Sequence, residues 1–188
     1  MSESHLRRPD DSELRREWNT IDENELGIPR AAAERVVRGL NDALSGLYIA
    51  FNQVRKHYWT LEGPESGDVE GFLEDAADRL ADLTDDLAIR VHALGGVPVN
   101  GPMGIRQHAP LRIEAGDVYD VRSALENDLD AYATLAVGFR EHIETAIELG
   151  DETTVELLRG GIRTIEEDAN RLEKYLADDS LATPATEP

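Results

Sequence analysis

Acidic side chains and one histidine recur along one side of a predicted helix between residues 68 and 94. At about 100° of rotation per residue, Glu70, Glu74, Asp85 and His92 fall within one narrow strip, interspersed with alanines. Carboxylate and imidazole groups bind hard or borderline cations such as iron or manganese, and two acids four residues apart can hold one ion from one helical face. The strip is therefore a candidate metal site.

Composition offers a simpler explanation for the same acids. The 188-residue chain carries 39 Asp and Glu against 19 Lys and Arg, so Glu70, Glu74 and Asp85 could be ordinary solvated acids. A lone helical histidine such as His92 is more often a hydrogen-bonded bystander than a ligand. The alanines favour a different environment, because small side chains let a second helix approach closely. The strip therefore predicts a contact with another subunit, in which buried acids would need a cation.

The net charge of −20 indicates the salt concentration to which the protein is adapted. A compact chain this acidic repels itself at low ionic strength, whereas at molar salt the Debye length shrinks to about 3 Å and the repulsion is screened. We interpret the charge as adaptation to high salt; an acidic mesophilic protein is the alternative. In either case a negative surface opposes binding to nucleic-acid phosphates.

Several classes of protein are excluded by residues that the chain lacks. It contains no cysteine, which excludes disulfides and thiolate metal sites. No stretch approaches about 18 consecutive apolar residues, so no membrane span is expected. The first five residues show no apolar run of the secretory type. A soluble cytoplasmic protein with a single domain is the expectation.

Four segments show apolar residues at the three-and-four spacing of a helix face. They predict helices over about residues 29–61, 68–94, 117–149 and 151–176. The first and third connections are short, which makes their helices antiparallel, whereas residues 95–116 form a connection long enough to cross a bundle. The pattern predicts an all-α, ferritin-like four-helix bundle with one long crossover between helices two and three. We assign residues 29–178 to this domain, 1–28 to a flexible N-terminal arm and 179–188 to a flexible tail.

Short segments of the first two helices resemble the Dps family of miniature ferritins, haloarchaeal members above all, over about residues 30–178. These segments are His57-Tyr58-Trp59, the stop at Gly63, Phe72-Leu73, Leu87-Ala88-Ile89-Arg90 and Leu94-Gly95-Gly96. The resemblance implies a four-helix subunit, a two-fold dimer and a hollow homododecamer that oxidises ferrous iron and keeps iron inside.

The resemblance also implies an iron site shared between two subunits. The positions that match the family's ligands are Tyr58, Glu70 and Glu74 of one subunit, with Asp85 and Ile89 of its two-fold mate. Glu74 and Asp85 agree in kind with the family, and Glu70 is a carboxylate where histidine is expected. Tyr58 and Ile89 depart from the pattern. Isoleucine cannot bind a metal, and a neutral phenol is a poor ferrous ligand unless a bound cation lowers its pKa.

Two histidines could compensate for these departures. His57 is adjacent to Tyr58 but projects about 100° away from it on an ideal helix, and His92 lies one turn beyond Ile89. The candidate metal ligands are therefore Glu70, Glu74, Asp85, Tyr58, His57 and His92. Glu74 and Asp85 are the candidate catalytic pair. Further acids and a histidine at residues 141–144 and 166–167 do not form the Glu-x-x-His pairs of a bundle-core site.

Two functions follow as hypotheses. The first is an iron-storing cage that protects against oxidative stress, with ferroxidase activity that is weak or altered. The second is a structural or protective cage that has lost the oxidation centre, because Ile89 occupies space that a hydrated ion would need. Two further alternatives remain: a different small ligand or metal in the seam, which is the contact between the strips of two subunits, and an unrelated four-helix binding module. DNA binding is not expected, since the arm carries four arginines and no lysine and is negative overall.

Overall fold

The computed structural model describes residues 10–63, 66–112, 114 and 116–177. Within them it contains α-helices and one 3-10 turn (Asp11–Glu13), and no β-strand. The helices are α1 (Arg30–Thr60), α2 (Ser66–Ala93), α3 (Pro102–His108), α4 (Val121–Glu148) and α5 (Glu152–Leu176).

The four long helices form a closed ring around one core. α1 packs against α2 and α4, and α5 packs against α4 and α2. The predicted core stripe of α2 is buried along its whole length, from Val69 through Leu80 and Leu87 to Leu94. Because the α1–α2 and α4–α5 connections are short, each pair is an antiparallel hairpin, and residues 94–120 carry the chain from one hairpin to the other. The predicted ferritin-like bundle with one crossover is confirmed.

Side-chain caps decide where α4 and α5 begin. Asp120 accepts a hydrogen bond from the backbone N–H of Ser123 at 3.0 Å, and Asp151 accepts one from Thr154 at 3.1 Å. The sequence predicted that the third helix begins at Asp117, four residues too early. Apolar spacing continues upstream of Asp120, but the helix begins where a carboxylate satisfies the first free N–H groups.

The crossover contains a short helix that the sequence did not predict. α3 spans seven residues and begins at Pro102, whose fixed φ and missing N–H suit a first helical position. Before α3, the Asn41 side chain of α1 donates to the Val97 carbonyl at 3.2 Å and accepts from the Val99 N–H at 2.8 Å. These contacts fix the crossover to α1, so it is held by long-range interactions that apolar spacing does not reveal.

The segment before α1 contacts the bundle through residues between 16 and 22. Ile21 is buried in the core, and the Asp22 N–H donates to the Gly95 carbonyl at 3.0 Å. Arg16 donates to the Asp22 carboxylate at 2.7 Å and to the Gly96 carbonyl at 3.0 Å. The arm was predicted to be loose over residues 1–28; the described part instead makes specific contacts with the end of α2. Residues 1–9 and the predicted tail at 179–188 lie outside the described residues.

Substitution of Gly95 tests this contact. Gly95 has φ +87°, and a Cβ there would collide with the carbonyl oxygen of Asp22. Gly150 ends α4 with φ +74°, but a Cβ there meets nothing within 4 Å. Left-handed backbone costs an alanine roughly 1–2 kcal/mol at either position. We expect Gly95→Ala to lower the free energy of unfolding by at least about 1 kcal/mol more than Gly150→Ala, because Asp22 must also move.

Chemical denaturation of both variants at equal protein concentration measures this difference. Limited proteolysis gives a second measure, since Gly95→Ala should expose the segment around Arg16 to cleavage and Gly150→Ala should not. Equal losses of stability in the two variants would contradict the packing of the arm against α2.

Partly buried ion pairs supplement the apolar contacts between α2 and α5. Arg79 donates to Asp168 at 2.7 Å, and Asp168 also lies 3.3 Å from the hydroxyl of buried Tyr132. Arg90 pairs with Asp151, the cap of α5.

Across the described ranges, no helix is both long enough and apolar enough to cross a lipid bilayer.

Candidate metal site on helix α2

Three of the predicted ligands meet where the end of α1 faces the first turns of α2. Tyr58 lies near the end of α1, and Glu70 and Glu74 project from exposed positions of α2. The charge of Glu74 raises the pKa of Tyr58, and burial and a hydrogen bond to Glu74 add to this shift, as do the charges of Glu70 and Asp78. The phenol is therefore protonated at neutral pH in the metal-free chain, and it donates toward carboxylates.

Asp78 is a further acid of this group, beyond the candidate ligands predicted from the sequence. It follows Glu74 by four residues on α2 and is exposed. The i, i+4 spacing of Glu70, Glu74 and Asp78 was the available signal. Acids on the neighbouring solvated face of α2 masked it, because composition alone places an acid at many helical positions of this chain.

Asp85 and His92 lie on the same exposed strip, closer to the end of α2. Eleven residues separate Glu74 from Asp85, which corresponds to about 16 Å along a helix that rises 1.5 Å per residue. One ion cannot bind both side chains of the same chain across this distance. A site that combines Glu74 with Asp85 therefore requires two chains.

Large apolar side chains beside the strip are uncovered in the single chain. Trp59 is 64% exposed and Ile89 is 67% exposed. The guanidinium of Arg55 lies 4.7 Å from the ring centre of Trp59 and 5.0 Å from that of Phe51, which holds the aromatic residues in place. An uncovered face with this mixture of aromatic, apolar and acidic residues is typical of a surface that contacts another protein.

His57 lies in a different place from the other candidate ligands. Its side chain is 2% exposed, and its Nδ1 lies 2.8 Å from Asp128 of α4 while its Nε2 lies 3.0 Å from Glu114 of the crossover. Gln53, one turn earlier on α1, donates to Asp128 at 2.9 Å. Because both ring nitrogens are engaged by carboxylates, we remove His57 from the ligand set. The sequence could not place it, since its partners are 57 and 71 residues away.

In this buried cluster, His57 and Glu114 each favour the charged form of the other. Burial by itself lowers the pKa of His57, but the hydrogen bond and charge of Asp128, with Glu114 adding to them, outweigh burial, and the pKa is raised. Burial raises the pKa of Glu114, yet hydrogen bonds from Lys56 and His57 and the charge of His57 prevail and lower it. His57 is therefore stabilised as an imidazolium and Glu114 as a carboxylate. The cluster joins α1, the crossover and α4.

The metal site is incomplete within one chain. Among residues 10–63, 66–112, 114 and 116–177, no group of three or more His, Asp or Glu side chains is arranged to hold a metal ion. Tyr58 and Glu74 are brought together, with Glu70 nearby, whereas Asp85 and His92 are separate from them. The donors that are present, carboxylates with a phenol, suit iron more than a soft metal, but they need additional ligands.

Comparison with known proteins agrees with this fold. A family model described as a ferritin-like domain matches residues 37–182. The "DNA protection during starvation protein" of Halobacterium salinarum is 42% identical over 151 residues, which are 80% of this chain and 83% of that protein. The fold therefore defines the class, a ferritin-like four-helix protein.

Solved structures narrow this class. An archaeal Dps homologue from Halobacterium salinarum superposes with a TM-score of 0.87 at 38% identity, covering 92% of this chain and 96% of that one. A Dps protein from Vibrio cholerae, described as a member of a broad superfamily of ferritin-like diiron-carboxylate proteins, gives a TM-score of 0.78 at 25% identity, covering 84% and 98%. The chain belongs to the Dps family of ferritin-like proteins.

Proposed function

We propose that this protein assembles into a hollow cage that sequesters iron and protects against oxidative stress in the cytoplasm of a cell with high internal salt. The observation that carries the proposal is the α2 strip. Tyr58, Glu70 and Glu74 are grouped at one end of it, and Asp85 lies about 16 Å further along, on a face that the single chain leaves uncovered.

Two-fold pairing of α2 would complete the ligand set. In an isologous contact the two α2 helices run antiparallel, and each contacts the same surface of the other. An axis that passes midway between residues 74 and 85, beside the half-buried Ala81, would place Glu74 opposite the partner's Asp85. The small side chain of Ala81 permits a close approach there. The same pairing would cover Trp59 and Ile89, or part of them.

Carboxylates in such a seam would bind ferrous iron as a substrate. Their oxygen donors favour the ferric over the ferrous state, so binding can promote oxidation when an electron acceptor such as dioxygen is present. The absence of the imidazoles that the family resemblance implies should weaken ferrous capture. We therefore expect ferroxidase activity that is slower than in a family member with the full ligand set.

The second candidate function is a protective cage without catalysis. It is favoured by Ile89, which is 67% exposed at a position where the family resemblance implies a glutamate. An apolar side chain cannot contribute a donor, and in the seam it would exclude water that a hydrated ion carries.

Iron addition distinguishes the two functions. Iron-free protein in molar salt receives ferrous iron under nitrogen, air is then admitted, and both the oxidation rate and the iron that co-elutes with the cage are measured. Iron storage predicts oxidation above the buffer rate and iron that remains with the protein through gel filtration. A rate equal to buffer, together with no retained iron, would contradict it.

Restoring the ligands implied by the family resemblance gives a stronger test of the site. We expect the double substitution Tyr58→His with Ile89→Glu to raise the oxidation rate roughly tenfold or more, since each added ligand contributes a charge-assisted bond of about 1.5–3 kcal/mol. Tyr58→Phe with Ile89→Gln is the matched control, because it changes the same positions without adding an imidazole or a charge. No gain in the first variant would mean that the seam is not the oxidation site.

The assembly is proposed to be a homododecamer built from two-fold dimers. Light scattering should then give about twelve times the chain mass of 20.8 kDa.

DNA binding is not part of the proposal, although the relative from Halobacterium salinarum is named for DNA protection, because the net charge of −20 opposes contact with phosphates. A mobility-shift assay at graded salt that showed tight binding would overturn this part.

A further inference from the structure

A cleft lies between α1, α4 and α5, away from the α2 strip. Its volume is about 240 Å³. The residues that line it on α1 are three and four positions apart, so they share one helical face. Lining residues include Arg35, Arg38, Gly39, Asp42, His142 and Thr145. Two guanidiniums and an imidazole thus surround one small space in a chain that has twice as many acidic as basic residues.

Gly39 allows His142 to lie directly against α1. A Cβ at position 39 would stand 2.8 Å from Nδ1 of His142 and 3.2 Å from its Cγ. Within the described residues, the imidazole makes no hydrogen bond or ion pair. Burial lowers the pKa of His142, and the charges of Asp42 and Glu141 oppose this only in part. The lowered pKa favours the neutral ring, which carries one N–H donor, and His142 lines the cleft.

The arginines also retain unused donors. Arg35 meets Glu148 at 3.4 Å and Arg38 meets Glu34 at 3.7 Å, whereas Arg79 meets its buried partner at 2.7 Å. Exposed ion pairs of such length contribute little. Each guanidinium has five N–H donors, and one long contact leaves most of them free to bind a second acceptor.

Asp42, the acid within the cleft, is engaged elsewhere. Its carboxylate lies 3.2 Å from Nδ1 of His108 on α3, and Trp18 of the N-terminal segment packs edge-on against that imidazole at 5.9 Å between ring centres. His108 therefore occupies one oxygen of this acid, although the charge of Asp42 still acts on His142. Thr145 donates its hydroxyl to the Glu141 carbonyl at 3.1 Å, so its oxygen can accept but its proton is used.

We propose that this cleft binds a small tetrahedral oxyanion of the phosphate class. Arg35 and Arg38 donate in the forked geometry that suits such an anion, and His142 donates from the inner side. The volume admits one anion with a few waters, each of which occupies about 30 Å³ in the liquid. Glu34 and Glu148, the ion-pair partners of these arginines, repel an extended polyanion, so the occupant is a free inorganic anion rather than the phosphate of a nucleic acid.

Calorimetric titration of the iron-free, assembled protein with inorganic phosphate tests the site. At constant molar potassium chloride, we expect saturable binding of one phosphate per chain. Arg35→Gln with Arg38→Gln should weaken it about tenfold or more, as expected for the loss of charge-assisted hydrogen bonds. The control is Arg159→Gln with Arg163→Gln, which removes the same charge from exposed positions on α5 outside the cleft.

Unchanged affinity in the control, with weakened affinity in the first variant and in His142→Gln, supports the site. Three results overturn it: no saturation by phosphate, an equal loss in both arginine variants, or binding seen with an oligonucleotide but not with free phosphate. Because iron is absent throughout, the result is independent of whether the α2 seam oxidises iron.

Discussion

Glu74→Gln combined with Asp85→Asn should lower the rate of iron oxidation about tenfold to a hundredfold, while the cage stays assembled. The two substitutions keep side-chain size and remove one negative charge from each half of the proposed site. A charge-assisted ligand bond is worth about 1.5–3 kcal/mol, so the loss of either carboxylate alone should already produce most of the effect. Ferrous oxidation followed by absorbance, at equal cage concentration, measures it.

Asp75→Asn with Asp82→Asn is the matched control. Both residues are exposed and lie about 60–100° around α2 from the Glu74 and Asp85 positions, and their substitution changes the net charge by the same amount. Similar loss of activity in this control would mean that bulk charge attracts iron and that the seam has no special role. An unchanged rate in the Glu74 and Asp85 variant would place any oxidation elsewhere in the cage.

Mixed assemblies test whether the site draws on two chains. Each two-fold dimer has two equivalent metal sites. In a dimer of one Glu74→Gln chain and one Asp85→Asn chain, one of these sites keeps both carboxylates and the other loses both. After joint unfolding and reassembly, half of the dimers are mixed, so about one quarter of all sites should be intact. Recovery of roughly that fraction of activity, from two parents that are each nearly inactive, would support the two-fold site. Activity no higher than that of the parents would contradict it.

Asp128→Ala should lower the free energy of unfolding by about 3–5 kcal/mol, the usual cost of breaking a buried ion pair by removing one partner. Asp128 is fully buried and accepts from both His57 and Gln53. Its removal leaves those donors without an acceptor inside the bundle. Asp130→Ala, on the same helix but exposed, is the control and should change stability little.

Asp128→Asn should cost less than Asp128→Ala. An amide oxygen can still accept a hydrogen bond from one of the two donors. In addition, burial raises the pKa of Asp128, which means that the ionised carboxylate carries a desolvation cost, and asparagine removes this cost. Chemical denaturation at one protein concentration, needed because assembly contributes to stability, ranks the three variants. Equal losses for Asp128→Ala and Asp130→Ala would show that the buried cluster does not stabilise the bundle.

The same cluster sets a pH dependence of stability. The raised pKa of His57 stabilises the fold fully below the unfolded value of 6.5, and this contribution is lost as pH rises through the folded pKa. The lowered pKa of Glu114 stabilises the fold above the unfolded value of 4.5, and this is lost as pH falls through the folded pKa. The contribution of the pair should therefore be largest between pH 4.5 and 6.5. Because the contribution of His57 is constant below pH 6.5, a His57→Gln variant should lack the loss of unfolding free energy that the unsubstituted chain shows as pH rises above 6.5.

Apolar spacing predicted most of the bundle because helix faces repeat every three or four residues. The stripe from Val69 to Leu94 is buried as expected, and α1 spans Arg30–Thr60 against a prediction of about 29–61. The same spacing could not place α3, which is short and stabilised by its setting beside α1. It also could not show that Ile21 enters the core, since one apolar residue in a polar segment has no period.

The sequence by itself determined the four long helices, the single crossover and the grouping of Glu70, Glu74, Asp85 and His92 on one side of α2, because these follow from spacing along one helix. Only the tertiary structure decided which residues from other parts of the chain contact the candidate ligands. Tyr58 reaches Glu74 because α1 and α2 are antiparallel, whereas His57, one residue earlier, is turned into the bundle and held by Asp128 and Glu114. The physical reason is that a partner distant in the chain is fixed by packing, which no local pattern of residues encodes.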